Sequence, residues 1–164
     1  MIKIGKIVST HGIKGELRIL SDFEFKNKVF VVGNKLVIDG EDYEIKSYRP
    51  HKNFDMVTLN DYNNINQVLF LLKKEVYFRE EDLKLGEDEV LDTELMTYKI
   101  INKDGRTGSV KEVFFASPTN KIIRIMLDKE YLIPYNSPML VSISKDKKEI
   151  NVDVMEWFYV IKSI

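Results

Sequence analysis

The chain has 164 residues, 25 Lys and Arg against 26 Asp and Glu, two histidines and no cysteine. Those counts exclude a disulfide scaffold, thiol catalysis and any cysteine-ligated metal, and two histidines so far apart in sequence make a poor zinc site. A formal charge of −1 argues against a protein that coats nucleic acid by charge alone, while 44% hydrophobic residues mark a folding chain.

The length suits one ordinary domain or two small ones. The first residues, Met1 to Lys6, alternate apolar and charged or small side chains and lack the apolar core of a signal peptide. The longest apolar run, Val68-Leu69-Phe70-Leu71-Leu72, is too short to cross a bilayer. The expectation is a cytoplasmic protein with no membrane partner.

The dominant period is two. Ile2, Ile4, Lys6 and Val8 are expected to share one strand face, and residues 16–20 continue the alternation after a glycine-bracketed turn. Residues 35–38 and 43–48 read as a hairpin around Asp39-Gly40, and residues 55–59 as a further strand. Ile65, Val68, Leu69 and Leu72 have the spacing of one amphipathic helix, with Asn63 or Asn64 as its cap and Lys73 and Lys74 at its end. Its apolar stripe is expected to plug one end of a small barrel rather than bind a partner. Val76-Tyr77-Phe78 resumes as a strand.

Between Glu80 and Glu94 lie eight acids and one base, Lys84. This run is expected to link two domains: a first barrel at 1–82, an acidic linker at 83–94 and a second domain at 95–164. The second set of strands is expected at 98–101, 108–115, 121–127, 130–134, 149–152 and 157–161, with an exposed turn at 117–120. The fold class is therefore mainly β, two small barrels in tandem, with one short helix in the first.

Catalytic motifs are weak. Ser9, Thr10 and His11 are neighbours on a strand and point to opposite faces, so they form no triad. Gly12-Ile13-Lys14-Gly15 matches neither a dinucleotide fingerprint nor a phosphate loop, and the acids lack EF-hand spacing. No metal or cofactor is expected. The informative stretch is Gly5 to Arg18. The first twenty residues hold Lys3, Lys6, Lys14 and Arg18 against Glu16 alone, on a chain that is neutral overall. A tight glycine loop there serves equally to press Lys14 against a phosphate or acidic partner and to close a barrel.

The run Ile4-Gly5-Lys6-Ile7-Val8 with His11-Gly12-Ile13-Lys14-Gly15-Glu16-Leu17-Arg18 resembles the N-terminal signature of the RimM family, the bacterial ribosome maturation factors. His51-Lys52 matches a pair found after the family's hairpin. Asp104-Gly105, Gly108-Ser109-Val110 and Leu132-Ile133-Pro134-Tyr135 match its second domain, a PRC barrel. The chain departs from the pattern at Thr97, where a glycine is usual, and at Val90 and Leu91, where an aromatic pair is usual. An Ala-Glu pair is absent from residues 66–69 and a Gly-Leu pattern from the region of Trp157.

The resemblance implies a translation-factor- and reductase-like barrel followed by a PRC barrel, and a monomer without enzymatic activity. It implies binding to the free small (30S) ribosomal subunit, contact with that subunit's ribosomal protein 19, and help with head assembly and 16S rRNA processing. Lys6, His11, Lys14 and Arg18 are then expected near rRNA or a ribosomal protein, with Gly12, Gly15 and Glu16 shaping the loop. His11 serves equally as a buried imidazole bonded across that loop. Val90, Leu91, Ser117, Asn120 and Lys121 are expected to meet the protein partner. Two other classes remain, a general RNA-binding barrel with steep salt dependence and a flavin enzyme with a yellow chromophore. Neither accounts for the second domain.

Overall fold

The computed structural model describes residues 1–154. The chain divides into two units, Met1–Lys84 and Leu85–Ile164. In the first, strands β1 (Ile2–His11), β2 (Glu16–Leu20), β3 (Lys35–Ile38), β4 (Glu41–His51), β5 (Phe54–Leu59) and β6 (Glu75–Phe78) accompany a short helix α1 (Lys26–Val29). The strands close a barrel in the order β1-β2-β5-β4-β3-β6. Ile4, Ile7, Leu17, Ile19, Leu36, Ile45, Val57 and Leu59 fill it.

Closure bends β1. Its register shifts between Lys3 and Gly5 against β6, and between Ile7 and Ser9 against β2. A bulge inserts one residue and exchanges the faces beyond it. The core therefore takes Ile4 and then Ile7, leaving Lys6 exposed and Val8 half-buried. The unbroken row Ile2, Ile4, Lys6, Val8 expected from alternation does not form.

The expected helix also differs. Two 3₁₀ turns, Ile65–Gln67 and Leu69–Leu71, replace it. Asn64 does cap the first: its side chain accepts the Asn66 N–H at 2.8 Å, and Gln67 accepts the Asn64 N–H at 3.1 Å. Val68 and Leu71 are buried, whereas Leu69 turns outward and is 46% exposed. The physical reason lies at the two ends. The Ile65 N–H donates to the Ile13 carbonyl at 2.9 Å, and the Lys73 N–H to the Ile7 carbonyl at 2.8 Å. A segment pinned at both ends must span a fixed distance, and the longer rise of the 3₁₀ form covers it with fewer residues.

Helix α1 was not expected from periodicity, being only one turn long. Asn34 Nδ2 donates to the Lys28 and Val29 carbonyls at 3.1 and 3.2 Å. Lys26 pairs with Asp55 at 3.0 Å. Asp55 is 3% exposed and also accepts the Tyr48 hydroxyl at 2.7 Å. Burial, and then that bond, push the Tyr48 phenol up to about 12.

The second unit holds a helix α2 (Asp92–Leu95) and strands β7 (Lys99–Asn102), β8 (Thr107–Ser117), β9 (Asn120–Met126), β10 (Glu130–Pro134), β11 (Leu140–Ser144) and β12 (Glu149–Val152). They form one sheet in the order β10-β9-β8-β7-β12-β11, with β12 parallel to β7. Strand β11 has no counterpart in the sequence reading, because it lies at the sheet edge and its Val141 is 59% exposed. The strand expected at 157–161 lies outside the described residues. Most of the acidic run folds with this unit rather than tethering it. Val90 and Leu95 belong to its core, and the Gly86 carbonyl accepts from Lys145 Nζ at 2.6 Å.

Gly108 sits where β8 crosses β9, and a Cβ there would overlap the Met126 carbonyl oxygen. That obstacle is backbone, held in the β8–β9 ladder by the Ser109–Met126 pair, so it cannot swing aside. Gly108→Ala is expected to cost about 2 kcal/mol or more and to lower the melting temperature by roughly 10 °C. Thermal unfolding followed by circular dichroism checks it.

Candidate nucleic-acid interface

The barrel's alternation leaves an outer face that is as ordered as its core. Leu17, Ile19 and Val57 point inward, so Glu16, Arg18 and Met56 point outward. Arg18 of β2, Met56 of β5 and Arg49 of β4 are register partners in one row. Met56 is fully buried although it is not part of the barrel core. On the outer face it lies in register between Arg18 and Arg49.

Arg18 is held in place. Its Nη1 donates to Ser9 Oγ at 3.2 Å and to the Thr10 carbonyl at 3.0 Å. Its Nη2 lies 2.5 Å from His11 Nδ1. A guanidinium can only donate, so His11 Nδ1 accepts and the ring proton sits on Nε2. The Arg18 guanidinium also lies 5.9 Å from the centre of the Phe54 ring. The His11 and His51 rings are 5.8 Å apart.

Arg49 forks onto Glu16, with Nε and Nη2 each 2.9 Å from a carboxylate oxygen. Those bonds, against a smaller opposing desolvation, hold the Glu16 carboxyl below the usual carboxylate range. Partial burial, followed by the neighbouring Arg49 and Lys52 charges, holds His51 below its ordinary value. Lys14 and Lys52 stand exposed in the turns at 12–15 and 52–53. Cations thus outnumber the one acid of the cluster, and protein groups already orient two of them.

The glycine loop aims this face. Gly12 and Gly15 lie at φ +70 and +88, the left-handed region that costs glycine little. Gly15 is also buried against the Asn64 backbone, which a Cβ would approach to 3.3 Å. The loop is therefore clamped between β1 and the first 3₁₀ turn, leaving Ile13 78% exposed and Lys14 at its tip.

Of the sequence-derived site, His11 and Arg18 come together, with Glu16 beside them and Lys14 on the adjoining turn. Lys6 is exposed further along β1, opposite Leu20 and Glu75. Arg49 and Phe54 were missed. The signal for them was present: both lie within three residues of the His51-Lys52 pair, and the strand parity of Arg49 and His51 is the same.

In the second unit the expected protein-contact residues separate. Val90 is 1% exposed, so it serves the core and offers no contact surface. Leu91 is half-buried, and its carbonyl accepts the Glu94 and Leu95 N–H groups that open α2. The Lys121 amine lies 2.5 Å from Asp92 and 4.6 Å from the Tyr135 ring centre, with its side chain 14% exposed. That lysine ties β9 to α2 and is not a free surface charge. Ser117 and Asn120 pair across the exposed β8–β9 turn, near Phe115, which is 53% exposed.

Among the described residues no group of three or more His, Cys, Asp and Glu side chains is placed to hold a metal ion. No helix among them is long and apolar enough to cross a membrane. A closed barrel with a cationic, ring-bearing outer face, joined in one chain to a second β unit, defines a two-domain, mainly β protein. The chain belongs to the RimM family of ribosome maturation factors. Residues 2–83 match the RimM N-terminal domain and residues 87–156 the PRC-barrel domain. Ribosome maturation factor RimM of Bacillus mycoides is 33% identical, covering 93% of this chain and 95% of that protein. RimM of Staphylococcus saprophyticus is 35% identical, covering 94% and 96%. The solution structure of the N-terminal domain of RimM from Thermus thermophilus is 18% identical over 51% of this chain and 94% of its own, with a TM-score of 0.45.

The Glu16–Arg49 pair stabilises the barrel only while Glu16 is charged. Its contribution is present above the ordinary carboxylate value and is lost as pH falls through the lowered value of Glu16. Arg49 is 48% exposed, so solvent screening limits the effect. Glu16→Gln is expected to cost roughly 0.5 kcal/mol at neutral pH. Parent and variant should converge in urea titrations carried out in acid.

Proposed function

We propose that this protein binds the free small ribosomal subunit, contacts its ribosomal protein 19 and assists head assembly and 16S rRNA processing in the cytoplasm. It acts as a monomer and by binding, without catalysis. The observation that carries this reading is the oriented cationic face of the first barrel, in a chain whose family is named for ribosome maturation. His11, Lys14 and Arg18 supply the rRNA side of the contact, with Arg49 and Lys52 beside them and Lys6 at its margin. Ser117 and Asn120, at the tip of the β8–β9 hairpin, serve the protein partner.

A maturation factor must leave its target once maturation is complete. Binding an intermediate better than the finished particle shifts the population toward productive arrangements and then releases the factor. The near-neutral total charge suits that requirement, because a uniformly basic surface would hold any rRNA. The local charge of both signs suits a target made of RNA and protein.

Sedimentation with purified ribosomal particles tests the reading. Co-migration with free small subunits but not with assembled ribosomes is expected, and equal binding to both, or to neither, would overturn it. The double variant Lys14→Glu, Lys52→Glu changes only exposed turn residues. It is expected to weaken subunit binding about ten-fold or more while leaving the melting temperature unchanged.

A further inference from the structure

We infer that the outer face of β2, β5 and β4 is a platform for a short unpaired stretch of RNA, with backbone phosphates on its arginine and lysine side chains and bases stacked on its rings. The inference rests on the ribosomal reading above and narrows it to one kind of RNA.

Four observations carry it. The first is the presence of ring faces. Phe54 is half-exposed outside the barrel core, and the planar Arg18 guanidinium lies over its ring. The tilted His11 and His51 rings extend the same surface. Stacking needs a base whose face is free, which duplex RNA does not offer. Second, the platform is preorganised. Ser9, Thr10 and His11 fix Arg18, and Glu16 fixes Arg49. Third, the charge is small. Glu16 already engages Arg49, leaving Arg18, Lys14 and Lys52 as the readiest phosphate partners. Proteins that hold a duplex by charge neutralise more phosphates, commonly about six to ten. Fourth, the face is the flank of a closed barrel and projects no helix into a groove. An acidic protein segment would satisfy the cations but would leave the rings unused.

Fluorescence anisotropy with the full chain tests this. The probes are a labelled, unstructured pyrimidine RNA of roughly ten nucleotides and a duplex RNA of the same length, each titrated between about 50 and 200 mM salt. The single strand should bind at least about ten-fold more tightly, with a log–log salt slope near −2, as expected for about three phosphates. Phe54→Leu should weaken it by roughly five-fold or more, whereas Phe54→Tyr should retain it. Equal or tighter duplex binding, binding of neither RNA, or indifference to a folded Phe54→Leu would overturn the inference. The two readings fail separately. If Phe54→Leu loses single-stranded RNA but the parent does not sediment with small subunits, the platform stands and the ribosomal role falls. If the parent sediments with small subunits and Phe54→Leu binds RNA normally, the role stands and the platform falls.

Discussion

Closure of the first barrel is the constraint on which the rest depends. A closed sheet has an inside that must be apolar, and every strand has only two faces. Once Ile4, Ile7, Leu17, Ile19 and Val57 are committed to the interior, Ser9, His11, Glu16, Arg18 and Arg49 have no place but the outside. The bulges in β1 are part of this. Without the shift between Ile7 and Ser9, the far end of β1 would turn His11 inward and separate it from Arg18.

The outer face then acquires a second layer of organisation. Arg18 and Arg49 are the most mobile kinds of side chain, yet each is fixed by several bonds to β1 or β2. Fixing them in advance lowers the entropy lost when a ligand binds. Glu16 has a double effect. It orients Arg49 and also offsets one positive charge of the surface. The second unit follows the same economy, with Lys121 spent on Asp92 and Tyr135 rather than displayed.

Much of this was legible in the chain. The Asp39-Gly40 hairpin, the strands of the first barrel and the separation of two β sets follow from period-two alternation and turn residues, which are local. The residues of 65–72 illustrate the limit. Their apolar spacing fits a helix, and Asn64 does cap one, but hydrogen bonds to Ile13 and Ile7 set the span and select 3₁₀ turns. Val90 shows a different limit. An apolar residue in an acidic run looks exposed, and only the sheet it packs against makes it core. Strand β11 was missed because an edge strand need not alternate.

The sequence by itself determined the mainly β class, the two modules, the glycine loop and the family to which they belong. These rest on residue types, periodicity and local spacing, each readable within a few neighbouring residues. Only the tertiary structure decided which charges come together. His11, Arg18 and Glu16 come from one hairpin, whereas Arg49, His51 and Phe54 lie more than thirty residues further on, and the strand order β1-β2-β5-β4 brings them together. The same folding removed Val90 and Lys121 from the surface, because burial and pairing depend on what the rest of the chain places opposite a residue.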